Sequence, residues 1–181
     1  MSSKASVTKQ VAFIAVMSAL ANVLGYFSIP VGTTKIHFMQ LPIIFSGLAL
    51  GPLAGGIVGF TGSAVMAFAL PTPNPFILLG NAILGFFTGL FFSWLRNRKP
   101  PVIPQLLSVI GAIVIQFPYT YVSDVYWMSM PVPLVLYTIL PKLFLEDLIS
   151  LSIAHVILFR VDIISMLGKQ GETTGVDRGD H

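Results

Sequence analysis

Long blocks without charge constrain this chain more than any other feature. No Lys, Arg, Asp or Glu occurs from Gln10 to Thr34, from Ile36 to Leu95, from Pro100 to Ser123 or from Val125 to Pro141. A helix needs about 20 mostly apolar residues to cross a bilayer. Only 9% of the residues are charged and 55% are hydrophobic, whereas soluble domains carry about 25% charged residues. The mean hydropathy is +0.86. A transmembrane β-barrel would show alternating segments of about ten residues, and none is present. The fold class that follows is an all-α integral membrane protein.

Breaks in the apolar pattern divide the chain into six expected spans. The first covers about Val11 to Phe27. "SIPVGTTKIHF", residues 28 to 38, reads as a loop because Pro30, Gly32 and two threonines interrupt it. Met39 to Leu50 is too short for an upright crossing. Pro52 suits the first turn of a third helix, where its missing N–H costs nothing, and that helix is expected to run to about Leu70. "PTPNP", 71 to 75, is a turn. Phe76 to Leu95 and Val102 to Val122 are the fourth and fifth spans, 123 to 133 a loop with a limit as far as Tyr137, and Ile139 to Val161 the last span. The membrane domain is expected over 1–163, followed by a polar, disordered tail over 164–181.

Within the third region, Gly47, Gly51, Gly55 and Gly59 recur every fourth residue, and Ser63 and Ala67 continue the register. In lipid such a stripe lets two helix backbones approach closely. It predicts a packing face and says nothing by itself about function.

Cations in short loops set orientation. With a cytoplasmic N-terminus, Lys4, Lys9, Arg96, Arg98, Lys99, Arg160, Lys169 and Arg178 all lie inside, eight of the ten Lys and Arg residues. Both termini are then cytoplasmic and the chain is a multi-pass protein of the plasma membrane. Lys35 and Lys142 fall on the outer side, where topology does not explain them.

The outer half also gathers the polar groups. Lys35, His37 and Gln40 lie in or beside the first loop, Asn74 and Asn81 at the start of span four. Gln116, Tyr119, Tyr121, Asp124, Tyr126 and Trp127 end span five, and Lys142, Glu146 and Asp147 open the last helix. Amide and ionisable groups at membrane depth point to a function, and aromatic faces with a few directed polar groups suit a small, flat, polar ligand. Each has a plainer reading. The tyrosines and Trp127 fit an interfacial aromatic belt. Lys142 and Glu146 are spaced to pair with each other. Asp147, on a neighbouring face, is compatible with solvent exposure, and His155 with a packed, hydrogen-bonded role. The convergence carries the argument, and it nominates Lys35, His37, Asn74, Asn81, Gln116, Tyr121, Asp124, Tyr126, Trp127, Lys142 and Glu146 as substrate-binding residues. Aromatic stacking is expected from Tyr121, Tyr126 and Trp127, and ring-edge hydrogen bonds from Asn74, Asn81 and Gln116.

Other classes find little support. The chain lacks HExxH, GxSxG and P-loop patterns, so neither catalysis nor self-powered transport by ATP hydrolysis is expected. It has no cysteine, and its three histidines are far apart, which gives no support to a metal site; no cofactor is expected. The net charge of +3 sits on membrane flanks, without the basic stripe that nucleic acid requires.

"SGLALGPLAGGIVGFTGS" resembles the second-to-third helix region of the substrate-binding (S) components of energy-coupling factor (ECF) vitamin transporters. "AVMSALA" gives Ala15 and Ala19 in an AxxxA spacing, and "NAILGFFTGLFF" and "LPKLFLEDLISLSIA" fit the same family. The resemblance covers about residues 8 to 163. It implies six helices with both termini cytoplasmic, tight packing of helices two and three, and a ligand near the outer surface capped by the first loop. It also implies docking of Ala15 and Ala19 against a transmembrane coupling (T) component served by two ATP-binding subunits. The expected function is capture of a water-soluble vitamin or precursor. The alternative is a stand-alone secondary carrier or channel, which calls for polar groups at the midplane and inner half as well; those halves read as largely apolar. An intramembrane enzyme ranks last.

Overall fold

The computed structural model describes residues 2–31, 34–69, 73–98 and 100–160. The expected tail 164–181, the domain boundary before it and the end of the third span at Leu70 lie outside them. The order of elements is α1 (Ser2–Tyr26), β1 (Ser28–Val31), β2 (Thr34–His37), α2 (Gln40–Leu50), α3 (Pro52–Gly62), α4 (Ala64–Phe68), α5 (Phe76–Leu95) and α6 (Val102–Val122). A π-helical turn (Ser123–Trp127), α7 (Val132–Leu134), a second π-helical turn (Val135–Ile139) and α8 (Leu140–Arg160) complete it.

Val7–Tyr26, Phe76–Leu95 and Val102–Trp127 are long and apolar enough to cross a membrane. Helix α8 matches α6 in length but carries Lys142, Glu146 and Asp147 in its first turns. Helix α2 is short for a different reason. Gln40, Pro42–Leu48 are buried, so this helix is enclosed by its neighbours and meets little lipid. Its Ile44, Phe45 and Leu48 join Leu84, Val109, Ala112, Ile113, Leu151 and Ala154 in the main apolar core. Helix α1 lies on the outside, with Val11, Val16, Leu20 and Val23 exposed.

The glycine stripe packs as the small-residue spacing requires, but chiefly onto α5. A Cβ on Gly55 would collide with the backbone of Gly85, and one on Gly59 with the carbonyl of Asn81. A Cβ on Gly47 would stand 2.8 Å from the Gly85 carbonyl oxygen. Gly85 thus brings α2, α3 and α5 together, and the expected pairing of helices two and three is one side of a three-helix contact. Gly51, by contrast, meets nothing within 4 Å and has φ +92°; its backbone conformation, between α2 and α3, is what favours glycine. Pro52 then opens α3 in its first turn.

Three boundaries depart from expectation. Ser28–Val31 and Thr34–His37 form an antiparallel ribbon, with Ser28 opposite His37 and Ile29 opposite Ile36; alternation over so few residues, with Pro30 among them, left no legible period. The third helix breaks at Ser63, where φ is −100° and ψ 1°. There Asn22 of α1 replaces the lost ladder: its Oδ1 accepts the Val65 N–H at 2.8 Å, and its Nδ2 donates to the Thr61 carbonyl at 2.9 Å. Finally, the expected loop from 123 starts as a π-helical extension of α6, and helical structure resumes at Val132.

Candidate functional site

The hairpin, the N-terminal ends of α2, α5 and α8, α4 and the C-terminal end of α6 meet at one end of the bundle around a cavity of about 230 Å³. Of the nominated residues, His37, Asn74, Asn81, Gln116, Asp124 and Lys142 line it. Met39, Gln40, Met66, Phe76, Tyr119 and Thr120 are further lining residues. Helix α6 contributes Gln116, Tyr119 and Thr120, and the π-helical turn that extends it contributes Ser123 and Asp124, spaced i, i+3, i+4, i+7, i+8 along one face. Tyr121 projects from another face and is not in the lining.

The expected aromatic stacking surface is therefore relocated. Tyr126 and Trp127 are 71% and 60% exposed, and neither lines the cavity. Trp127 stacks on the outer side of Phe76, with ring centroids 5.1 Å apart and planes 13° apart; Phe76 is the ring that reaches the cavity. Tyr119 supplies the other, and its hydroxyl donates to the Phe76 carbonyl at 3.2 Å. Sequence reasoning missed Phe76, Met39, Met66 and Thr120. The helical register from Gln116 to Asp124 was the signal that separates Tyr119 from Tyr121.

Lys35 is likewise outside this cavity; it lines a neighbouring one with Gly25, Ser28, His37, Met66 and Lys142. Glu146 lines neither, yet it organises the wall. Fully buried, it accepts the His37 backbone N–H at 2.8 Å through Oε1 and the Gln40 amide N–H at 3.3 Å through Oε2. Lys142 Nζ stands 3.6 Å from Glu146 Oε1 and 3.4 Å from His37 Nε2. The expected Lys142–Glu146 pair thus exists and is extended to the hairpin. Burial first, and the Lys142 cation second, lower the His37 pKa from 6.5 to about 4, so its ring is neutral at pH 7.

Asn74 is a pin. Its Oδ1 accepts the Phe76 N–H at 3.1 Å and its Nδ2 donates to Asp124 Oδ1 at 3.2 Å. It joins the start of α5 to the end of α6. Asp147 is fully buried, not solvent-facing. The half of the bundle away from the hairpin is less apolar than it reads: Thr88, Gln105 and Ser108 are buried there. Much of that polarity is internally matched, since His155 Nδ1 lies 2.7 Å from Gln105 Oε1 and Ser108 Oγ donates to the Pro104 carbonyl. None of these residues lines either cavity. Among the described residues no His, Cys, Asp and Glu cluster has the makings of a metal site.

What the arrangement offers chemically is a pocket with apolar walls, two aromatic rings, several amides, one carboxylate and one ammonium. Two of its amide oxygens, Gln40 Oε1 and Gln116 Oε1, are buried with no hydrogen-bond partner among the described residues. Such groups are costly to leave unmatched; the lining amide residues Gln40, Asn81 and Gln116 together suit a ligand bearing N–H or O–H groups.

Comparison with known proteins agrees. No match to the chain is found among curated proteins. A solved structure of the S component of a bacterial ECF transporter superposes with a TM-score of 0.65 at 19% identity, covering 89% of this chain and 98% of that one. A 2.1 Å crystal structure of the S-component for biotin from an ECF-type ABC transporter gives 0.58 at 21% identity, covering 91% and 93%. At these identities the likeness is one of fold. The family model for the S component of ECF-type riboflavin transporters matches residues 5–166, and the chain belongs to that family of membrane-embedded, substrate-binding transporter subunits.

Proposed function

We propose that this chain captures riboflavin on the outer side of the plasma membrane, crossing it six times with both termini cytoplasmic. It then hands the vitamin to a coupling module made of a T component and two ATP-binding subunits. The observation that carries the ligand assignment is the lining itself, in which the rings of Tyr119 and Phe76 stand with the amide residues Gln40, Asn81 and Gln116. An isoalloxazine ring is flat and apolar at its dimethylbenzene end, and carries an imide N–H between two carbonyls at the other. Tyr119 and Phe76 suit its faces, Gln116, Gln40 and Asn81 its imide edge, and Met39 and Met66 its apolar end. Asp124, Asn74, His37 and Lys142 suit the hydroxyls of the ribityl chain.

Titration of riboflavin fluorescence with the detergent-purified chain tests this. Stoichiometric quenching is expected. Native mass spectrometry that finds a different small molecule bound, together with no quenching, overturns the ligand. Transport by the chain alone in liposomes overturns its role as a subunit.

A further inference from the structure

The turn between α5 and α6 lies at the end of the bundle away from the hairpin, and vitamin capture makes no use of it. Arg96, Asn97, Arg98, Pro100 and Pro101 line a concavity there of about 800 Å³. The Arg98 N–H donates to the Leu95 carbonyl at 3.0 Å, and the Ile103 N–H to the Pro100 carbonyl at 3.1 Å. Both arginines are exposed, and among the described residues neither enters an ion pair. No acidic residue lines the concavity. The acidic residues among those described are Asp124, Glu146 and Asp147. Glu146 bonds the hairpin itself, with Asp147 next to it in α8. Asp124 lies just past the far end of α6, a helix of 21 residues, about 30 Å away at 1.5 Å per residue. The charge at this turn is therefore left unneutralised by the described part of the chain.

Apolar surface begins directly beside that charge. Trp94 is 69% exposed, and Val102 and Ile103 are 43% and 40% exposed. Helices α5 and α6 are both long and apolar enough to cross a membrane. A surface that passes within a few residues from tryptophan and aliphatic groups to two guanidinium groups fits the boundary between hydrocarbon and headgroups. We propose that the concavity is a headgroup site for an anionic phospholipid. Arg96 and Arg98 hold its phosphate, which guanidinium forks match in charge and shape, and its acyl chains lie along Trp94, Val102 and Ile103. A zwitterionic lipid brings its own cation, so two unneutralised arginines favour a headgroup with net negative charge. The acids of residues 161–181, Asp162, Glu172, Asp177 and Asp180, would compete for the same arginines. The lipid is favoured because one molecule covers both the charge and the adjoining apolar face.

The chain has two tryptophans, so Trp127→Phe leaves Trp94 as the sole reporter beside the site. The test places this full-length chain in nanodiscs and compares quenching of Trp94 by brominated phosphatidylglycerol and by brominated phosphatidylcholine at equal mole fraction. Phosphatidylglycerol is expected to be enriched about fivefold or more, the worth of one arginine at an anionic surface. Adding Arg96→Gln and Arg98→Gln is expected to bring the two lipids to parity, while quenching by phosphatidylcholine stays as it was and verifies that the face still meets lipid. Equal quenching in the parent overturns the site, as does a preference that survives loss of both arginines. Lys4→Gln with Lys9→Gln removes the same charge from the start of α1 and is expected to leave the preference intact; an equal loss there assigns it to the diffuse field of the protein and overturns the site. Neutralising the four acids of residues 161–181 in the full chain is expected to change nothing. A preference that appears only after that neutralisation makes the chain's own acids the occupant, and the lipid site fails.

Discussion

The backbone N–H of His37, the last residue of the hairpin, donates to Glu146 Oε1 of the final helix at 2.8 Å. The two residues are 109 positions apart, so this bond ties the covering hairpin to the opposite wall of the cavity. Glu146→Ala removes the acceptor for His37 and Gln40 and leaves the Lys142 ammonium without its partner. Breaking a buried ion pair by removing one member costs about 3–5 kcal/mol; Lys142 is partly exposed, so a smaller loss is expected. Riboflavin affinity should fall more than about tenfold. Trypsin should cut faster after Lys35, in the freed hairpin. Glu146→Gln, which keeps an acceptor, should lie between. Unchanged cleavage at Lys35 in Glu146→Ala would mean that the hairpin is held by other contacts.

Neutral His37 makes the hairpin pH-sensitive. Its pKa is lowered from 6.5 to about 4, by burial and then by Lys142. In the unfolded chain the ring takes up a proton below about pH 6.5, while in the folded protein it resists until about pH 4. Its contribution is therefore complete above pH 6.5 and is lost as pH falls toward 4, at up to about 1.4 kcal/mol per pH unit. Thermal denaturation in detergent should show a falling midpoint across that window. His37→Gln should flatten this limb; an equally steep limb in the variant would assign it to other groups.

How far the site was legible depends on which physical signal a residue carries. Charge-free runs give the bounds of α5 and α6 because apolar length is a local property. Lys142, His37, Gln116, Asn74 and Asp124 stood out because polar groups are scarce in such runs. Tertiary substitution is not local. Asn22 of α1 supplies the hydrogen bond that lets the third helix break at Ser63, and nothing near Ser63 announces it. Burial of Asp147, and of Thr88 and Gln105 in the far half, likewise follows from which helices enclose α8, α5 and α6. Apolar lining residues such as Met39 and Met66 are invisible among so many others.

Helix contact at Gly55 sets a third expectation. A Cβ there would meet the backbone of Gly85 and the Cα of Gly47, and none of these atoms belongs to a flexible side chain. Relief requires α3 to move off α5. Overpacking of this kind costs about 1–3 kcal/mol. Gly55→Ala should lower the melting midpoint and the yield of monodisperse protein, whereas Gly56→Ala should be mild, since a Cβ there stands 3.4 Å from the Phe86 side chain. Equal midpoints for the two variants would remove the backbone contact as their cause.

Docking to the coupling component is expected to use the exposed face of α1. Ala15 and Ala19 lie outside the folded core, on a helix whose neighbours Val16 and Leu20 are 61% and 40% exposed. Leucine at both positions keeps the face apolar and compatible with lipid, but holds a partner backbone away. The double variant Ala15→Leu, Ala19→Leu should bind riboflavin as wild type does and fail to co-purify with a T component. Retained co-purification would place the contact on another face.

Tyr119 and Tyr121 allow the sharpest separation of ligand contact from aromatic belt. They are two residues apart on α6, and only Tyr119 lines the cavity. Its ring packs 3.4 Å from the position of a Cβ on Gly80, and its hydroxyl bonds the Phe76 carbonyl. Tyr119→Ala removes a stacking face and lets Phe76 shift; a lost aromatic contact is worth about 0.5–1.5 kcal/mol beyond burial, so riboflavin affinity should drop about tenfold or more. Tyr119→Phe keeps the ring and should lose only a few-fold. Tyr121→Ala should leave affinity unchanged within about twofold, because the helical register turns it away. Ranking by fluorescence titration decides the matter: a larger effect at Tyr121 than at Tyr119 would require α6 to be rotated about its axis, and with it Gln116 and Asp124 to be withdrawn from the ligand.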